Sequence, residues 1–75
     1  MARTSWERTR EGVTYYVSVE PTQVVVGEHR GSGHTDNAGT CSHAEFVAGR
    51  WHDHIRTNMG ARTLSEILAA LASAP

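Results

Sequence analysis

Val13-Thr14-Tyr15-Tyr16-Val17-Ser18-Val19-Glu20 is the stretch that decides the fold. Its odd positions are apolar and its even positions mostly polar, the period of a half-buried strand. Val, Tyr and Thr also suit a pleated surface. On either side, Glu11-Gly12 and Pro21-Thr22 read as turns, which makes 5–10 and 23–30 strands as well. Two-residue loops at both turns set the register. Arg10 then faces Val13, Arg8 faces Tyr15, and Trp6 faces Val17. Val19 faces Val24, and Val17 also faces Val26. One sheet face collects Trp6, Val13, Tyr15, Val17, Val19, Val24 and Val26. The other collects Ser5, Thr9, Thr14, Tyr16, Ser18 and Glu20. Two independent turn assignments produce one apolar face, which is the consistency expected of a correct register. Pro-Thr suits a tight hairpin less well than a Gly or Asn pair.

Beyond this meander, 31–40 has no apolar period, and its Gly, Ser, Asp and Asn residues read as a long loop. Two helix starts follow. Ser42-His43-Ala44-Glu45 and Thr63-Leu64-Ser65-Glu66 both fit a capping box. The first helix is expected over 43–58, with Gly60 beyond its end, and the second over 64–73. Ala44, Val47, Ala48, Trp51, Ile55 and Met59 make one helical stripe. Leu64, Ile67, Leu68 and Leu71 make another. The expected fold is a single α+β domain: a three-stranded antiparallel β-meander (4–30), a Gly-rich loop (31–41), and two α-helices (42–73) packed on one sheet face.

A chain of 75 residues is one domain with a small core. It buries only about 60% of the surface of its unfolded form, so a deep substrate cavity is not expected. Cys41 is the single cysteine, which excludes an internal disulfide. A lone Cys and a polar, charged 2–10 segment lead us to expect a soluble, cytoplasmic protein. No apolar run approaches the roughly 20 residues of a membrane span. The net charge of −1 gives no bulk drive toward nucleic acid. All seven basic residues are Arg, and they are scattered along the chain.

Several residue sets suggest chemistry. His52 and His54 lie two apart on a helix, about 200° around its axis, so they cannot chelate one ion together. His43 and His54 lie three turns apart, roughly 16 Å along it. His29, His34, Cys41 and His43 bracket the Gly-rich loop and have the residue types of a zinc staple, though not the spacing of a standard finger. Cys41 also precedes a helix N-terminus, which favours a thiolate, with His34 or His43 as a base. Gly31-Ser32-Gly33 and Gly39 resemble an anion-binding approach to that helix but match no phosphate-loop order.

Arg3, Arg8, Arg10 and Arg30 gather near the hairpins, next to Trp6 and Tyr15, as a nucleic-acid contact would need. The register places Arg8 and Arg10 at the rim of the helix-covered face. Phe46 falls opposite the first helical stripe beside Arg50 and Asp53, the makeup of an interface anchor. The 23–30 strand offers a free edge as a second interface. The expectation is a non-enzymatic protein-interaction or regulatory module that self-associates as a homodimer and needs no cofactor. The alternatives are a nucleic-acid-binding regulator and a zinc-stapled or Cys-dependent site around Cys41.

Overall fold

Glu11 and Gly12 both adopt positive φ, 52° and 80°, in the computed structural model. Such a turn matches the right-handed twist of the strands it joins. The structure describes residues 4–30 and 35–73, without the side chains of 35–38. The turn closes β1 (Ser5–Arg10) on β2 (Val13–Val19) with Trp6 opposite Val17 and Arg10 opposite Val13, as expected. Pro21 and Thr22 form the next turn, where the Glu20 N–H donates to the Gln23 carbonyl (2.8 Å). β3 (Val24–Arg30) pairs with β2 in the expected register, Val19 to Val24 and Val17 to Val26. Trp6, Val17, Val24 and Val26 are buried on one face, with Tyr15 and Val19 packed beside them.

The expected loop at 31–40 is corrected by a fourth strand, β4 (Thr35–Cys41), which pairs antiparallel with β3. Residues 31–34 lie outside the described ones. The sheet order is β1-β2-β3-β4, so 23–30 is not an edge as the sequence suggested. β4 has a composition poor in strand formers, and its pairing comes from the ladder groups that β3 offers. Val26 pairs with Gly39 and Gly27 with Asn37, so Ala38 is an extra residue, a bulge.

The helices depart further from expectation. The 43–58 helix is two short ones, α1 (His43–Ala48) and α2 (His52–Asn58), followed by α3 (Ala61–Ser73). Gly49 (φ 129°) and Trp51 (φ 69°) break the helical path. The break re-phases the chain. Phe46 is wholly buried, whereas Val47, which was placed in the core stripe, is 60% exposed. Ala44 and Ala48 are exposed as well. Past the break the expected stripe holds, because Ile55 and Met59 are buried. α3 buries Leu64, Ile67 and Leu71.

The Ser42 capping box forms: the Glu45 N–H donates to Ser42 Oγ (3.1 Å), and the Ser42 N–H to Glu45 Oε1 (2.9 Å). The Thr63 box does not, because α3 already begins at Ala61. Thr63 Oγ1 instead donates to the Met59 carbonyl (3.1 Å), and Glu66 accepts from Trp6 Nε1 (3.2 Å). No helix among the described residues is long and apolar enough to cross a membrane.

Phe46→Ala should cost about 3–5 kcal/mol, enough to unfold so small a domain. Val47→Ala should stay within about 0.5 kcal/mol. Urea titration followed by circular dichroism distinguishes the two. Glu45 makes a second prediction. Its hydrogen bonds to Ser42 hold the carboxyl below its ordinary value of 4.5. A lowered folded pKa contributes stability above the unfolded value that is lost as pH falls through the folded one. Glu45→Gln keeps the cap, so its melting temperature should fall less than that of the wild type on acidification below pH 4.5.

Candidate functional site

Arg8 and Arg10 project from β1 toward the end of α2. Arg8 Nη1 donates to the Met59 carbonyl (3.0 Å) and Arg10 Nη1 to the Thr57 carbonyl (3.1 Å). These carbonyls lie at a helix C-terminus, where the backbone dipole favours a cation. The two guanidiniums therefore tie β1 to α2. A Cβ on Gly60 would stand 3.2 Å from Arg8 Nη1, so the small residue leaves room for the tie. Arg30 pairs with Glu28 (3.5 Å), and Arg3 lies outside the described residues. The arginines singled out for nucleic acid are thus not one free cluster.

The proposed zinc residues are dispersed. Across the β3–β4 ladder His29 faces Thr35 at one end, and Val24 faces Cys41 at the other. Five residues of strand separate the two ends, roughly 17 Å. His29 and Cys41 therefore cannot ligate one ion. His43 Nε2 donates to the Glu20 carbonyl (2.6 Å), tying the start of α1 to the β2–β3 turn. His34 lies outside the described residues. Among the described residues no three His, Cys, Asp or Glu side chains come together.

Cys41 does not have the activated thiol that its place before α1 suggested. It is buried, and burial pushes its pKa above the ordinary thiol value of 9.0. Glu45 pushes the same way, and Arg50 opposes them. The thiol stays protonated at neutral pH, which makes it a poor nucleophile.

Phe46 is not an exposed anchor, since it fills the core. Its presumed neighbours are engaged separately. Arg50 lies over the Trp51 ring (5.5 Å), and Asp53 accepts from Arg56 (2.9 Å). The helix break, which sequence periodicity does not reveal, turned Phe46 inward.

His52 and His54 diverge, as their spacing requires. His52 Nε2 donates to the Phe46 carbonyl (2.6 Å) across the break. His54 packs edge-on against Tyr15 and Trp51, at ring separations of 6.1 and 5.8 Å.

Among the described residues the helices cover one sheet face, and no helix or strand packs on the other, open face. On the open side Tyr16 lies over Gly27, where a Cβ would overlap its hydroxyl and ring. His29 stacks beside it at 4.9 Å and 26°. The pair walls a shallow groove of about 300 Å³, whose other walls include Ser5, Glu7 and Ser18. Sequence reading put Tyr16 on this face but gave no sign of the groove, because the groove depends on Gly27 leaving space for the ring. No family model, curated protein or solved structure matches the chain.

At neutral pH, Cys41 should react with a disulfide reagent far more slowly than a free thiol. Denaturant should restore the rate. Rapid labelling of the native chain would show that the buried position is wrong.

Proposed function

We propose that this chain is a small non-enzymatic interaction module that binds a second copy of itself through its open sheet face. The observation that carries the reading is the Tyr16–His29 stack on that face, held down on Gly27 beside the groove. Aromatic rings on an otherwise polar surface are the usual contact residues of interfaces. Pairing through the sheet edges has less support. A symmetric antiparallel union of β1 with its twin, centred on the strand, sets Glu7 opposite Glu7 or Arg8 opposite Arg8. Like charges directly opposite one another destabilise such a pair. β4 carries the bulge at Ala38, a common device against edge pairing.

The protonated, buried Cys41 and the carbonyl-bound His43 and His52 favour a binding role over a catalytic one. A nucleic-acid role has less support, because Arg8 and Arg10 are committed to α2.

Sedimentation equilibrium tests the reading. The wild type should populate a dimer. Tyr16→Ser should shift it toward monomer while the circular dichroism spectrum stays native. A wild type that is monomeric at every concentration sinks the proposal, as does a Tyr16→Ser dimer of undiminished affinity.

A further inference from the structure

Four unusual features meet where α2 begins. Trp51 is a bulky residue in the left-handed region (φ 69°, ψ 1°), a conformation that L side chains rarely adopt. Its indole lies against the bulged part of β4. A Cβ on Gly39 (φ 146°) would stand only 2.9 Å from Trp51 Cζ2, so this contact requires glycine. The remaining two features are ring nitrogens. Trp51 Nε1 and His54 Nε2 are both buried, and neither meets a hydrogen-bond partner among the described residues.

The tautomer of His54 follows from its neighbour. Asn58 Nδ2 donates to the His54 carbonyl (2.9 Å) and stands 3.4 Å from His54 Nδ1. An amide N–H facing Nδ1 makes that nitrogen the acceptor, which leaves the proton of the neutral imidazole on Nε2. Trp51 Nε1 is also a donor and nothing else. Two buried N–H groups therefore lie on rings 5.8 Å apart. Buried donors are almost always paired, and a small domain has little stability with which to tolerate two orphans.

We propose that Trp51 and His54 form an interior donor pair that holds one oxygen acceptor from outside the chain. Both groups donate and neither accepts, so the occupant is an acceptor. A water oxygen, or a carbonyl or hydroxyl oxygen of a bound small molecule, has that chemistry. The left-handed turn at Trp51 and the glycine at position 39 set the indole in place for it. Strain of this kind is found where a fold positions a group for use. This site lies on the helix-covered side of the sheet and does not depend on the self-association proposed above.

The chain is short enough for chemical synthesis, which allows an isosteric test. Replacing Trp51 by benzothienylalanine removes the N–H and keeps the ring shape. If the N–H holds an acceptor, the melting temperature should fall by about 4–8 °C, the effect of one lost hydrogen bond in a domain of this size. An unchanged or raised melting temperature overturns the proposal.

Measurements on the wild type give a second readout that needs no variant. A cross-relaxation peak between the Trp51 indole proton and a long-lived water assigns the acceptor to water. Added mass in native mass spectrometry assigns it to a bound small molecule. Neither signal, or ¹⁵N shifts placing the His54 proton on Nδ1, also overturns the proposal.

Discussion

The structure depends on the burial of one face of a four-stranded sheet. Trp6, Val17, Val24 and Val26 form that face only in one register, because a slip of a single residue would turn every side chain to the other side. Two tight turns pin it. Glu11-Gly12 has the backbone of a primed hairpin, and Pro21-Thr22 sits inside the Glu20–Gln23 hydrogen bond. Once the register is set, the helices have a surface to cover. Phe46, Ile55, Met59 and Ile67 complete the core from above. Polar ties then fix the layers laterally. Arg8 and Arg10 hold the end of α2, His43 holds the β2–β3 turn, and Trp6 reaches Glu66 on α3.

The meander was legible because alternation and turn chemistry are local properties. Val13 to Val19 carries its own period, and each flanking turn could be checked against the apolar face it produced. β4 was not legible. Its Asp, Asn and Gly residues argue for a loop, and only the neighbouring β3 backbone makes them a strand. The first helix failed for a related reason. A 3.6-residue stripe assumes an unbroken helix, and the reversal at Gly49 and Trp51 exchanges the fates of Val47 and Phe46. Gly49 gave a weak warning. Nothing local marked Trp51 for a positive φ.

The candidate sites shifted with those errors. The zinc set assumed that His29 and Cys41 flank one loop, whereas the β3–β4 hairpin sends them to opposite ends of the ladder. At Cys41 burial raises the thiol pKa, and the residues that bury it are not visible in the local sequence before α1. Phe46, the expected interface aromatic, is core, whereas Tyr16 lies on the open face where the strand register places it. The arginines were read as free charges when two of them complete a helix end. For the zinc set, Cys41 and the arginines the missing information was a long-range contact, and for Phe46 it was the break at Gly49 and Trp51.

The claim that the open sheet face is a self-association surface is tested most directly by amide hydrogen exchange across a concentration series. Protection should grow with concentration at Ser5, Glu7, Tyr16, Ser18 and His29, while α1 and α3 stay unchanged. Exchange independent of concentration at those positions, or protection that grows on the helices instead, would contradict it.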